Sequence, residues 1–251
     1  MEIVLLTALG VGMATVIGAA LGFLFKRVPH RFQDGVLGFA AGVMLAAAMV
    51  GLILPSLDFG GAHGVWVTAV GILAGAVFLN LMDRFTPHLH RLTGIDREEH
   101  KHNAHINRVM LFVMAVAIHN LPEGLAAGVS FGTGNPGDAF SVAAGIALQN
   151  IPEGMVLIAP LLGAGVSRRR TFGIAAFTGL IEVIGTMLGY FAISVSTVLL
   201  PFALAFAGGT MLYVVGDEMI PETHSHGFEQ LATYAMLFGF VVMLILDFYL
   251  G

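Results

Sequence analysis

Two near copies of one hexapeptide carry the residues with the clearest chemistry. The first, HNLPEG, spans His119–Gly124, and the second, QNIPEG, spans Gln149–Gly154, thirty positions later. Both lie inside long apolar runs, where a buried amide, proline and glutamate are costly. Residues three and four positions apart share one face of a helix, so each copy presents its first, second and fifth side chains together. Imidazole, amide and carboxylate groups on one face favour cation binding.

The acids of these runs have no cationic side chain within reach. Glu123, Glu153 and Glu182 lie nearest to the middles of apolar runs, whereas every Lys and Arg lies in a predicted loop or at the end of a span. An ionised carboxylate in a bilayer costs at least a few kcal/mol. Either the acids are protonated and hydrogen-bonded between helices, or a metal ion supplies the missing charge. The repeated pattern favours a metal, with these candidate ligands: His119, Asn120, Glu123, Gln149, Asn150, Glu153 and Glu182.

The proline of each copy supports the same interpretation. Pro122 and Pro152 cannot donate a backbone hydrogen bond, so each is expected to kink its helix and free a carbonyl near Ile118 or Leu148. A freed carbonyl in a membrane must be satisfied again or must line a polar cavity. Interrupted helices at corresponding positions of two segments are typical of a transporter binding site.

Composition and hydropathy define the elements that must position these residues. Hydrophobic residues make up 57% of the chain and charged residues only 11%, against about 25% charged in soluble domains. The chain is therefore predicted to be an all-α integral membrane protein, with residues 1–251 forming one domain of eight transmembrane helices. Cys is absent, which excludes disulfides and thiolate metal sites. The predicted spans are 2–25, 33–56, 63–83, 108–131, 139–163, 171–194, 199–219 and 229–250.

The distribution of basic residues predicts the orientation of the bundle. All eleven Lys and Arg lie in or beside the first, third and fifth loops, which the positive-inside rule assigns to the cytoplasm. Both termini are then outside, and the histidine-containing loop 84–107 is cytoplasmic. The acidic seventh loop, PETHSHGFEQ, is an exception to the rule. Small-xxx-small patterns such as GLAAG and GTMLG predict close helix packing.

At these residues the chain resembles the ZIP family of divalent-metal transporters, especially its bacterial GufA-like branch. The two PEG hexapeptides match the signatures of the fourth and fifth helices of the family. The likeness extends to GFAAGVMLAA and LILPSLD on the second span, DRFTPHLHRLTG after the third, and DEMIPETH at the end of the seventh. The resemblance implies an eight-helix homodimer in the bacterial inner membrane, which carries Zn²⁺, and also Fe²⁺, Mn²⁺ or Cd²⁺, toward the cytoplasm.

The resemblance also implies roles for individual residues. The primary site would be His119, Glu123, Gln149 and Glu153, and an adjacent second site would be Asn120, Asn150, Glu153 and Glu182. An elevator motion of helices 1, 4, 5 and 6 against helices 2, 3, 7 and 8 is also implied. Several family members have Asp at the position of Asn150. Three glutamates supply −3, against +4 for two divalent ions and +2 for one, so charge balance favours one tightly held ion.

The remaining polar residues are assigned by the predicted topology. Asp58, at the outer end of the second span, and Met44, within it, are candidates for the entrance. A cytoplasmic exit route is predicted from these residues: Asp83, His88, His90, Asp217 and Glu218. The competing interpretation of the acids is that they are solvated residues at helix ends. The competing interpretation of Met44 is that it is an ordinary residue of the hydrophobic core. The five histidines between His88 and His105 either collect metal weakly or belong to a polar linker.

The donor set constrains the cargo and the class of function. Imidazole, amide and carboxylate ligands suit Zn²⁺, Fe²⁺, Mn²⁺, Co²⁺ or Cd²⁺, and the lack of thiolates argues against a Cu(I) carrier. Neither H-E-x-x-H nor a pair of E-x-x-H motifs occurs, so an intramembrane metalloenzyme is the weakest alternative. A proton or alkali-cation channel or antiporter that uses the same acids is the stronger alternative. The chain is not expected to be an enzyme, to hold an organic cofactor or to bind nucleic acid.

Overall fold

The computed structural model describes residues 1–24, 29–92 and 104–251, except for the side chains of 83, 85–92, 104–113, 115 and 116. All regular structure in these residues is helical. We number the eight long helical segments in chain order. They are α1 Glu2–Gly22, α2 His30–Phe59, α3 Gly64–Leu92, α4 Ala104–Ser130, α5 Pro136–Gly163, α6 Arg168–Val195, α7 Thr197–Thr223 and α8 Glu229–Leu250.

Among the described residues, seven of these segments are long and apolar enough to cross a membrane, and most side chains in the first half of α4 lie outside that part of the chain. Each closes its backbone hydrogen bonds within itself, as a spanning segment must where water is absent. The membrane character and the all-helical class are thus confirmed, while the crossing of the membrane by α4 stays a prediction. The helix ends differ from the expectation mainly around the third loop. Because α3 continues to Leu92 and α4 begins at Ala104, the predicted loop 84–107 is helical at both ends.

The interruptions of the helices fall at positions that the sequence analysis did not select. In α2 a π-helical segment, Ala47–Ile53, comes just before Pro55, and in α7 another, Val215–Met219, comes just before Pro221. Proline lacks the N–H that continues an α-helical ladder, and a local π turn is one way to accommodate that loss. Helix α5 is interrupted at Leu157, shortly before Pro160.

The two prolines of the hexapeptides lie within helices that continue past them. Pro122 is inside Ala104–Ser130, and Pro152 is inside Pro136–Val156. A helix can continue through a proline when neighbouring groups take over the displaced backbone partners. The predicted kinks at these two positions stay a prediction.

The helices pack in two groups. Helix α4 lies along α6, and α1 lies along both α5 and α6; in the other group α2 lies along α8, and α3 along α7. The GLAAG and GTMLG patterns meet where α4 and α6 cross, as predicted. A Cβ at Gly124 would overlap the carbonyl oxygen of Glu182, and one at Gly185 would overlap that of Leu121. These glycines therefore allow the backbones of α4 and α6 to touch beside the buried acids.

Apolar side chains fill the bundle and also cover its outside. The larger cluster of buried side chains joins α2, α4, α5, α7 and α8, and it includes Met44, Ile146 and Met243. On the outer faces, Trp66 of α3 and Phe248 of α8 are 73% and 81% exposed. Large apolar groups at such exposure suit a surface that meets lipid rather than water.

Candidate metal site

The candidate site lies near the middles of α4, α5 and α6. His119, Asn120 and Glu123 project from α4, Gln149, Asn150 and Glu153 from α5, and Glu182 from α6. All are buried except Glu153, which is partly exposed. The three helices bring the two hexapeptides and the third acid together, as the sequence predicts.

Glu182 is the centre of a hydrogen-bond network with neutral donors. Its Oε1 accepts from Asn120 Nδ2 at 2.5 Å and from Thr15 Oγ1 at 2.6 Å, and its Oε2 accepts from Asn150 Nδ2 at 2.6 Å. Three donors on one carboxylate fit its ionised form, which accepts only. Both asparagine amides are thereby fixed in orientation.

Thr15 is a member of this site that the sequence analysis missed. Helix α1 approaches closely enough because Gly154, the last residue of the second hexapeptide, faces the Thr15 carbonyl oxygen, where a Cβ would overlap. The glycine of the first hexapeptide, Gly124, has the same relation to Glu182. The final glycine of each hexapeptide therefore lets another helix pack closely against it: α1 at Gly154 and α6 at Gly124. The residues at these two contacts, Thr15 and Glu182, are hydrogen-bonded to each other.

The other contacts of the site involve the first hexapeptide. Gln149 Nε2 donates to Glu123 Oε1 at 2.9 Å, which joins α5 to α4. His119 Nε2 lies 2.6 Å from Oε1 of Glu218, on the π segment of α7. That pair is close enough for an ion pair but is not aligned as a hydrogen bond. Glu153 has no hydrogen-bond partner in the described part of the chain for its buried Oε1.

Buried acceptor atoms without a partner are concentrated here. Among the described residues eight buried side-chain nitrogen or oxygen atoms lack a hydrogen bond, and six belong to this site. Since buried polar atoms are normally paired, such a concentration requires an explanation. Oxygen and nitrogen acceptors that lack a donor are what a cation would satisfy. The six atoms are His119 Nε2, Asn120 Oδ1, Glu123 Oε2, Gln149 Oε1, Asn150 Oδ1 and Glu153 Oε1.

A cavity of about 410 Å³ connects the site to one end of the bundle. Its inner wall includes His119, Glu123 and Glu153, and its outer wall includes Gln33 of α2 and Glu222 of α7. Among the described residues, five carboxylates line it and no Lys or Arg does. Such a lining concentrates cations. The end it reaches is the one at which α1 ends and α2 begins, and Arg31 at the start of α2 and Arg168 at the start of α6 lie there.

The residues predicted for the entrance and the exit have different surroundings. Asp217 and Glu218 line the cavity on its outer side. Asp58 is exposed at the opposite end of α2, and Met44 is fully buried in the apolar cluster. The side chains of Asp83, His88 and His90 lie outside the described residues. Their predicted roles stay predictions.

The side chains of the candidate ligands do not converge on a single point in this structure. In the ranges that the structure describes, no group of three or more His, Cys, Asp or Glu side chains is arranged to hold a metal ion. The glutamates are instead engaged with amides: Glu123 with Gln149, and Glu182 with two asparagines. Binding an ion would therefore exchange these contacts for metal–ligand bonds, which suits a site that must also release its ion.

Comparison with known proteins gives consistent matches. The family model described as ZIP Zinc transporter matches residues 90–247. Zinc transporter GufA of Myxococcus xanthus is 39% identical over 98% of both chains. Zinc transporter ZIPB of Bordetella bronchiseptica is 39% identical over 95% of this chain and 78% of its own. Zinc transporter ZIP11 of Homo sapiens is 33% identical over 94% of both chains.

Proposed function

The chain belongs to the ZIP family of zinc transporters, and we therefore propose that it carries Zn²⁺ across the membrane toward the cytoplasm through the site just described. It is an integral membrane protein of the bacterial inner membrane, and like its relatives it is a transporter rather than an enzyme. The observation that carries the proposal is the concentration of buried polar atoms without a hydrogen bond at this site, where His119, Glu123 and Glu153 line an acidic cavity.

The proposed primary ligands are three residues that line the cavity and one residue that is hydrogen-bonded to one of them. His119, Glu123 and Glu153 line the cavity, and Gln149 is hydrogen-bonded to Glu123. Imidazole with carboxylate and amide oxygens suits Zn²⁺ and, less selectively, Fe²⁺, Mn²⁺ and Cd²⁺. Deeper in the site, Asn120, Asn150 and Glu182 form the proposed accessory site. Because Glu182 is already bound by three donors, this accessory site holds an ion only weakly.

The proposed release step starts at His119. Its Nε2 is already 2.6 Å from Glu218, which lines the cavity on the outer side of the site. A zinc ligand that can turn from the ion to a second carboxylate lowers the number of bonds holding the ion. Asp217 and Glu222 continue the acidic lining outward, and they would carry the ion toward the end of the bundle.

The two packing groups support an elevator motion. Helices α1, α4, α5 and α6 hold all the proposed ligands, and we propose that they slide as a unit against α2, α3, α7 and α8. The basic clusters support a cytoplasmic position for the cavity mouth, with both termini outside. The resemblance to the family supports a homodimer.

Metal uptake into liposomes that contain the purified protein and a metal-sensitive dye tests this function. Zn²⁺, Fe²⁺, Mn²⁺ and Cd²⁺ are compared for the wild type, for His119→Ala/Glu153→Ala and for a matched control, His63→Ala/Glu2→Ala, whose residues are exposed and away from the site. We expect saturable Zn²⁺ influx that only the site variant loses. Equal influx in both variants would contradict the proposed route. Flux of protons or K⁺ in chelator-treated buffer would instead support the alkali-cation alternative.

A further inference from the structure

A second buried carboxylate lies outside the transport site, near the start of α2. Asp34 is 1% exposed, and its Oδ1 is 3.0 Å from Nδ1 of His226, in the loop between α7 and α8. Its Oδ2 is buried and has no hydrogen-bond partner. Outside the transport site, the only other described side-chain atom in that situation is the hydroxyl oxygen of Thr171.

The contact with Asp34 indicates which nitrogen of His226 carries the proton. A carboxylate only accepts hydrogen bonds, so the proton is on Nδ1 and the lone pair is on Nε2. The hydroxyl oxygen of Ser225 lies 3.3 Å from Nε2, and an ion bound there would displace it. A carboxylate behind the imidazole is the usual arrangement of a metal-binding histidine, because it fixes the tautomer and raises the basicity of the ring. The His226 side chain is 24% exposed, so an ion can reach it.

A second imidazole lies directly against the first. The ring of His30, the first residue of α2, stacks on that of His226 with centroids 4.2 Å apart and planes 19° apart. His30 is exposed. Stacked rings do not aim their lone pairs at one point, so His30 has to turn about its side-chain bonds to share an ion. Its exposure and its position at a helix start leave room for that rotation.

The pair is close in the chain to two residues that line the acidic cavity, although neither imidazole lines it. Gln33, which precedes Asp34, lines that cavity, and so does Glu222, four residues before His226. An ion that leaves the transport site along the acidic lining would therefore pass beside these imidazoles. The carboxylates of the cavity attract any divalent cation, whereas imidazoles favour Zn²⁺ and its neighbours over Mg²⁺ and Ca²⁺.

We propose that His226 and His30, with Asp34 behind His226, form a second divalent-metal site at the mouth of the cavity. It binds Zn²⁺ or a chemically similar ion such as Co²⁺, and Asp34 positions His226 or adds its unpaired Oδ2 to the ion. Its role as a receiving station for transported metal rests on the proposed function. The binding of metal at these three residues does not.

The test measures metal binding by the purified full-length protein in which the transport site is disabled by His119→Ala/Glu153→Ala. Zn²⁺ stoichiometry and affinity are measured by calorimetry, and Co²⁺ is used as a probe whose absorption spectrum reports nitrogen ligands. Into this background we introduce His226→Ala, His30→Ala or Asp34→Asn, with His63→Ala as the matched control because His63 is exposed at the other end of the bundle. Metal held by the loop histidines between His88 and His105 is common to all variants and cancels in the comparison.

We expect His226→Ala to remove one ion per chain and to change the Co²⁺ spectrum, while His63→Ala changes neither. Asp34→Asn should weaken binding by about 10- to 100-fold, the usual effect of losing a carboxylate behind a ligating histidine. Affinity that is equal in His226→Ala, His30→Ala and the control would overturn the proposal. If His226→Ala fails to fold, His30→Ala still tests the site, because replacing an exposed side chain is not expected to disturb folding.

The outcome is separable from that for the transport site. If His119→Ala/Glu153→Ala binds as many ions as the wild type, the proposed transport site is wrong, yet the effect of His226→Ala can still be read. Suppose instead that His119→Ala/Glu153→Ala binds one ion fewer than the wild type and that adding His226→Ala removes no further ion. The proposed transport site is then supported, and the proposed site at the cavity mouth is wrong.

Discussion

The two hexapeptides are nearly identical in sequence, yet the structure gives them unequal roles. Their asparagines are equivalent: Asn120 donates to one oxygen of Glu182 and Asn150 to the other. Their first residues differ. His119 faces the cavity and lies beside Glu218, while Gln149 is completely buried and donates to Glu123.

The glutamates differ in the opposite sense. Glu123 is 2% exposed and has one oxygen occupied by Gln149, whereas Glu153 is partly exposed. His119 and Glu153 are thus the more open pair, whereas Glu123, which also lines the cavity, is held by the buried Gln149. A transport site needs both a part that retains the ion and a part that exchanges it with water. Each copy of the motif therefore contributes one residue to each role.

The largest difference between the copies should be seen on neutralising the two glutamates in turn. Glu153→Gln removes a charge that no described side chain can replace, and we expect Zn²⁺ influx to fall by at least about 100-fold, since losing one partner of a buried charge pair costs about 3–5 kcal/mol. Glu123→Gln can keep its hydrogen bond to Gln149, so we expect a loss of only about tenfold.

Initial rates of dye-reported influx measure both variants, and Asp138→Asn, partly exposed at the start of α5 and away from the site, is the control. Equal losses in Glu153→Gln and Glu123→Gln would remove the distinction between an exchanging and a retaining glutamate. A greater loss in Glu123→Gln would reverse it.

Exchanging the first residues should alter selectivity more than total transport. His119→Gln makes the first copy resemble the second and removes the only imidazole that lines the cavity among the described residues. Because imidazole favours Zn²⁺ and oxygen ligands suit Mn²⁺, we expect the Zn²⁺ to Mn²⁺ ratio of uptake to fall by about tenfold.

Competition between the two metals in the same liposomes measures that ratio. The reverse change, Gln149→His, places the imidazole in the buried position and serves as the matched comparison. If the two variants shift selectivity alike, the position facing the cavity has no special role.

Sequence alone predicted the parts of this site that depend on helix periodicity. The polar residues of HNLPEG and QNIPEG recur on one face of each helix, and the buried acid of GLIEVIG gave the third contributor, so their convergence followed from spacing and charge. Thr15 could not be found in this way. A single threonine in an apolar helix is common, and only the packing of α1 against Gly154 brings its hydroxyl to Glu182.

The course of the helices was predicted less well than the all-helical class of the chain. Continuous apolar runs indicate a helix, but a terminal turn can extend past the apolar run, as α3 does to Leu92. The π segments before Pro55 and Pro221 depend on how neighbouring helices take up the missing hydrogen bond, which no local pattern reports. For the same reason the pairing of His226 with Asp34, 192 residues apart, was not foreseen.

The equivalence of the two asparagines can be broken by changing one of them. Asn150→Asp replaces a donor to Glu182 by a second carboxylate, and the two charges then need a cation between them. We expect the weak second Zn²⁺ to bind about tenfold more tightly and to be released more slowly. Calorimetry should show two ions per site instead of one, and Asn120→Asp should act in the same way if the copies are equivalent here. Unchanged stoichiometry and affinity in both variants would contradict an accessory site around Glu182.

The smallest expected effect on transport is that of replacing Thr15, which belongs to neither hexapeptide but donates a hydrogen bond to Glu182. Thr15→Val keeps the shape of the side chain and removes the hydroxyl that donates to Glu182 at 2.6 Å, leaving the carboxylate one donor short. The asparagines then lose a fixed acceptor, and we expect the apparent KM for Zn²⁺ to rise about three- to tenfold with little change in maximal rate.

Thr15→Ser retains the hydroxyl and should restore the wild-type KM, because the donor matters more than the methyl group. A thermal unfolding curve recorded beside the uptake assay separates this effect from a general loss of packing. If Ser and Val behave alike, the hydroxyl does not support the site, and the orientation of the two asparagines is set by α4, α5 and Glu182 alone.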